Sequence, residues 1–157
     1  MTTPLYKDPV KLFSTWFGAG LLPKAPGTWG SLAALPFAWA MTMWGGPSVL
    51  AIATLLVSVF GWWVADLYVR RTGVTDPGEV VIDEVAGQWL TLLAVPPDPI
   101  LYLVGFILFR VFDIFKPWPV GWADREIGGG LGVMVDDLLA GLYAALCLTG
   151  ALQWLAS

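Results

Sequence analysis

The sequence predicts an all-α fold: a compact bundle of about five membrane-spanning or membrane-embedded helices, preceded by a short interfacial helix. Three observations predict it. The chain is 57% apolar and only 13% charged, with mean hydropathy +0.73, about half the charge of an ordinary soluble domain. Positions 25–65 and 138–157 contain no charged residue, and roughly 18 apolar residues in a row are enough for a bilayer-spanning helix. No stretch shows the apolar–polar alternation of a half-buried strand. No linker divides the 157 residues, so the chain is read as one integral membrane domain, 1–157.

Taken in order, Val10, Phe13 and Phe17, with Leu12 and Trp16, fall at helical spacing and predict the interfacial helix. A Gly/Pro-rich loop, GAGLLPKAPGTWGS, follows at 18–31. Apolar segment one runs from about 31 to 44, short for a span, and stops at the turn signal Gly45-Gly46-Pro47. Segment two covers about 48–69 and ends in Arg70-Arg71. Segment three starts at DPGE, with Asp76 as N-cap, Pro77 at the first helical position and Glu79 completing a capping box. It continues to about Val95, before Pro96-Pro97. Segment four runs from about Pro99 to Lys116. A loop over 117–132 leads to segment five, about Gly132 to Trp154.

Five crossings put the N-terminus and the 70–76 and 117–132 loops on one side of the bilayer. That side, with the adjoining helix ends, carries all eight basic residues and every acid except Asp98. Basic loops stay in the cytoplasm, so this side is expected to be cytoplasmic. The opening residues, MTTPLYKDPVKLF, lack a secretory pattern. A net charge of −4 disfavours nucleic acid as a partner. With no histidine in the chain, a histidine base, phosphohistidine intermediate or histidine metal ligand is impossible. Cys147 is alone, so it forms no internal disulfide; Gln153 stands where a Cys-x5-Arg phosphatase loop needs arginine.

An ionisable residue inside an apolar helix is costly, about 2.5–3.5 kcal/mol at its centre on insertion scales, and marks a functional candidate. Asp83 and Glu84 lie in segment three, Asp136 and Asp137 in segment five, Arg110, Asp113 and Lys116 near the end of segment four, and Asp66 near the end of segment two. All fall toward the cytoplasmic face. Both acidic pairs are followed by Ala-Gly, small residues that let helices approach closely. Pooled carboxylates repel one another unless cations intervene. Arg110 and Lys116 supply that charge, or a divalent ion does; an oxygen-only site suits Mg2+, which also binds substrate phosphate. The glycine-rich loop before segment one, with Lys24, Thr28 and Ser31, is a candidate phosphate cradle. A phosphorylated lipid headgroup fits both features, because its chains stay in the bilayer while its phosphate reaches the interface.

Three stretches resemble the bacterial phosphatidylglycerophosphatase A family: PKAPGTWGS (23–31), VIDEVAGQW (81–89), and FRVFDIFKPWPVGWAD (109–124) continuing to GVMVDDLLAG (132–141). The resemblance covers about residues 13–145. It implies Mg2+-dependent hydrolysis of phosphatidylglycerophosphate to phosphatidylglycerol and phosphate at the bacterial inner membrane. In that reading Asp83, Glu84, Asp136 and Asp137 hold the metal, while Lys24, Thr28, Arg110 and Lys116 position the phosphate. Asp83 or Asp113 orients or deprotonates the attacking water, and Arg110 stabilises the transition state. Two other classes compete with it. A CDP-alcohol phosphotransferase needs Asp-x-x-Asp-Gly, and no two aspartates here are three apart. A non-enzymatic scaffold or transporter subunit would place polar residues at both membrane faces, and Asp98 is the one ionisable residue on the far side.

Overall fold

The computed structural model describes residues 5–157; positions 1–4, part of the opening that lacks a secretory pattern, lie outside the described residues. Every regular element among the described residues is helical. The α-helices are α1 (Pro9–Ser14), α2 (Pro26–Thr72), α3 (Ile82–Leu92), α4 (Pro99–Phe115), α5 (Val120–Glu126) and α6 (Gly129–Leu155), with 3-10 turns at Leu5–Lys7 and Ala19–Leu21.

α2 joins segments one and two. Gly46 breaks it, with φ 71° and ψ −175°, a left-handed conformation that only glycine adopts cheaply. Pro47 follows as the first residue of the second arm, where its missing N–H costs nothing. The two arms fold back on each other. A Cβ on Gly30 would meet Val81 at 2.6 Å, and one on Gly61 would meet Ile82 at 3.3 Å. Both positions therefore flank the start of α3, whereas a straight helix would hold them about 46 Å apart. The turn falls where the glycine pair predicts it. The first arm begins at Pro26, five residues before the expected start, because proline suits the first helical turn.

α3 departs furthest from expectation. The predicted capping box at Asp76–Glu79 does not form. Residues 77–80 make a turn, closed by Val80 N–H donating to Pro77 O at 2.9 Å, and Glu79 instead accepts a hydrogen bond from the Tyr68 hydroxyl. The helix starts only at Ile82 and stops at Leu92. Its 11 residues span about 16 Å, too short to cross a hydrocarbon core of about 30 Å alone. Nine of those residues are buried, so α3 is the central strut of the bundle. Trp89 donates its indole N–H to Ala34 O on α2 at 2.9 Å, and Thr91 bonds the carbonyls of Gly87 and Gly141.

α4 runs antiparallel to α3, with Gly105 against Thr91 and Leu92 and with Phe109 against Gly87. Asp98 caps it, accepting from the N–H groups of Ile100 and Leu101. The expected loop at 117–132 contains the short helix α5, and α6 starts three residues early, at Gly129. The predicted interfacial helix ends at Ser14, short of Phe17, and packs on the bundle through Phe13 on Phe60 and Trp16 on Trp89. Among the described residues two helices, α2 and α6, are long and apolar enough to cross a membrane. The outer faces of the α2 arms, α4 and α6 carry large apolar side chains such as Leu55, Leu56, Ile107 and Leu146.

Candidate active site

The starts of α2, α3 and α6 and the ends of α2 and α4 gather at one end of the bundle. The starts of α2, α3 and α6, the end of α4, α5 and the turn before α3 line a cavity of about 640 Å³ there, a size typical of small-ligand sites. Asp83, Glu84, Arg110, Asp113, Lys116, Asp136 and Asp137 all line it. What brings the two acidic pairs together is the crossing of α3 and α6. A Cβ on Gly87 would come within 2.5 Å of Asp137 O, and one on Gly141 within 2.4 Å of Gly87 O. The small residue after each acidic pair thus lets the two backbones touch, and the carboxylates one turn earlier converge.

Asp83 and Glu84 occupy the first turn of α3, where the helix dipole favours negative charge. Asp136 and Asp137 lie two turns into α6, away from its end. Arg110 reaches Asp113 at 2.5 Å and Glu84 at 4.0 Å. Lys116 reaches Asp136 at 2.5 Å, Asp124 at 2.9 Å and Asp113 at 4.0 Å. Its burial opposes charge, but the hydrogen bonds with Asp136 and Asp124 outweigh that and hold its pKa above the ordinary lysine value.

Five carboxylates on α3, α4 and α6 face two cations, so the cluster retains uncompensated negative charge. Two triads of carboxylate oxygens, Asp83–Glu84–Asp137 and Asp113–Asp136–Asp137, each lie within 4.8 Å of one another and share Asp137. Asp83 Oδ1, Glu84 Oε2 and Asp137 Oδ2 are buried without a hydrogen-bond donor among the described residues. Buried anionic oxygens without partners are expensive. An all-oxygen donor set of this kind fits a hard divalent cation.

The glycine-rich loop contributes less than its composition promises. Only Ala25, Pro26 and Gly27 of it line the cavity. Lys24 is exposed, and its carbonyl accepts the Trp29 indole N–H. Thr28 is half-buried outside the lining, and Ser31 donates its hydroxyl to Gly27 O at 2.8 Å. What the loop brings is the positive N-terminal end of α2. Gly27 permits that approach, since a Cβ there would lie 2.3 Å from Glu84 Oε1 and 3.0 Å from an Arg110 nitrogen. Asp66 is likewise not in the lining; it pairs with Arg70 at 2.7 Å. Asp76, read from the sequence only as a helix cap, and Asp124 and Arg125 of α5 also line the cavity; none of the three was a site candidate, because each falls in a polar stretch of sequence where charge is ordinary.

Comparison with known proteins agrees with the motifs. The sequence model of the family described as Phosphatidylglycerophosphatase A matches residues 12–152. A protein of that name from Escherichia coli K12 is 40% identical over 141 residues, covering 88% of this chain and 80% of the relative. One of the same name from Haemophilus influenzae is 36% identical, covering 94% and 91%. A Bacteroides thetaiotaomicron protein, provisionally named a phosphatidylinositol-3-phosphatase, is 38% identical, covering 91% and 92%. No solved structure matches. With nine-tenths of its length matched and the three motif regions meeting around one cavity, the chain belongs to the phosphatidylglycerophosphatase A family.

Proposed function

We propose that the protein hydrolyses the terminal phosphomonoester of phosphatidylglycerophosphate, releasing phosphatidylglycerol and inorganic phosphate, at the cytoplasmic face of a bacterial inner membrane. The observation that carries this is the pair of carboxylate triads sharing Asp137 beside Arg110 and Lys116. It combines cation and phosphate ligands at the end of an apolar bundle, where a lipid headgroup lies. The names of the relatives support a phosphorylated glycerolipid as the substrate class. All eight basic residues fall near this end of the helices and Asp98 alone marks the other, which supports a multi-pass arrangement with the site inside.

Asp83, Glu84, Asp136 and Asp137 would hold Mg2+, with Asp113 completing the second triad. When bound, the ion would offset phosphate charge and favour ionisation of a nearby water. The chain's own residues do the rest. Arg110 and the N-terminus of α2 at Gly27 orient the phosphate and stabilise its equatorial oxygens as charge spreads over them. Lys116 holds Asp136 in place and adds positive charge. Asp113 is engaged by Arg110, which leaves it a poor base. Asp83 Oδ1 has no hydrogen-bond partner among the described residues and is the better acceptor for the proton of the attacking water. The water oxygen bonds to phosphorus, the bond to the glycerol oxygen breaks, and that oxygen takes up a proton.

The deciding experiment is phosphate release from phosphatidylglycerophosphate by purified protein in detergent micelles, with and without EDTA. Release that stops on chelation and returns with Mg2+ is the expected result. Release unchanged by EDTA would refute the metal assignment, and no release under any condition would favour a scaffold.

A further inference from the structure

We propose that Gln88 is a positioning residue whose buried side-chain amide clamps the Glu84 carboxylate to the Arg110 guanidinium. The inference rests on the roles given above to Glu84 and Arg110. Gln88 is 0% exposed, and neither its Nε2 nor its Oε1 has a hydrogen-bond partner among the described residues. A packing role alone would be better filled by an apolar side chain, which leaves no amide desolvated.

The surroundings say what the amide is for. Gln88 lies one helical turn beyond Glu84 on the same face of α3, where side chains four apart are neighbours. Arg110 reaches that face from α4, 4.0 Å from Glu84. The contacts of Gly87 with Phe109 and of Gly105 with Thr91 put Gln88 level with the α4 residues just before Arg110. Glu84 Oε2 and Arg110 Nε are themselves buried and, among the described residues, unpartnered. The inventory is complementary. Arg110 Nε–H is a donor that Gln88 Oε1 lacks, and Gln88 Nε2–H is a donor that Glu84 Oε2 lacks. Closing both bonds fixes a phosphate-binding group relative to a carboxylate of the first triad, beneath the cavity and out of reach of solvent.

The composition offers a direct probe. The chain has no asparagine and only two glutamines, Gln88 and Gln153, and Gln153 is exposed near the end of α6. A 15N-labelled sample in detergent micelles therefore shows two side-chain amide pairs, and the Gln88→Leu variant assigns them by loss of one. The Gln88 pair should shift on adding Mg2+ with inorganic phosphate, while the Gln153 pair stays in place. In lipid-phosphate hydrolysis Gln88→Leu should lower kcat about ten- to hundredfold with KM within about threefold. Its thermal midpoint should not fall. A Gln88→Glu variant, which keeps the acceptor for Arg110 but opposes Glu84, should be impaired as well. An unmoved Gln88 pair in active protein, or a Gln88→Leu variant with wild-type kcat, overturns the clamp. A shift in protein that hydrolyses no lipid phosphate upholds the clamp and defeats the hydrolytic reading instead.

Discussion

The two acidic pairs look alike in sequence, yet the fold treats them differently. Asp136 and Asp137 sit two turns inside the long helix α6, and Asp136 has the Lys116 ammonium at 2.5 Å. Asp83 and Glu84 sit at the start of the short buried helix α3, and among the described residues their one ion-pair partner is Arg110, 4.0 Å from Glu84. The α6 pair is half-neutralised by Lys116, leaving only Asp137 Oδ2 unpartnered among the described residues, while the α3 pair leans on the helix dipole and has both Asp83 Oδ1 and Glu84 Oε2 unpartnered among them. Asp137 joins the two, belonging to both triads. On the proposed function the difference divides the work: the α3 side would supply open oxygens for a cation and a proton, and the α6 side a carboxylate anchored from α4.

That contrast can be broken at several points. The largest effect is expected at the shared residue. Asp137→Asn should lower phosphate release about 10³-fold, at the upper end of losses for a transition-state contact, and excess Mg2+ should not restore it. Asp83→Asn should cost about 10²-fold or more by removing the proton acceptor, whereas Asp136→Asn should cost about tenfold less than Asp83→Asn, because its partner is a lysine. Equal losses at Asp83 and Asp136 in the same assay would dissolve the distinction between the pairs. Gly87→Ala forces a Cβ against Asp137 O. It should lower stability in detergent by about 1–3 kcal/mol and separate the pairs, so activity should fall further than the unfolded fraction explains. The smallest effect belongs to the far end: Asp98→Ala removes the α4 cap, costs about 1 kcal/mol by thermal unfolding, and leaves kcat unchanged.

Much of this was legible in the chain. Gly45-Gly46-Pro47 marks the hairpin of α2, because few sequences so plainly offer a left-handed residue followed by a helix-starting proline. The acidic pairs stand out because carboxylates are rare in apolar helices, and the Ala-Gly after each announces the crossing. Less legible was anything set by a rival partner. DPGE reads as a capping box, but Tyr68 takes Glu79 and the helix starts six residues after Asp76. Lys24 and Thr28 read as phosphate ligands, but with the helix starting at Pro26 it is Ala25, Pro26 and Gly27 of that loop that line the cavity. Gln88 carries no signal in a sequence; only its burial without partners does.

By itself, then, the sequence determined what is local and periodic: apolar helices, their breaks at glycine and proline, and the confinement of charge to one end. Each follows from backbone geometry or from the cost of placing charge in hydrocarbon, and both act residue by residue. Tertiary structure alone decided which charges meet. Lys116 finds Asp136 twenty positions away and Arg110 finds Glu84 across two helices, and α3 becomes a buried strut that does not cross on its own. Those outcomes depend on how closely Gly87 and Gly141 let two backbones approach, and spacing along one strand of chain carries no record of that distance.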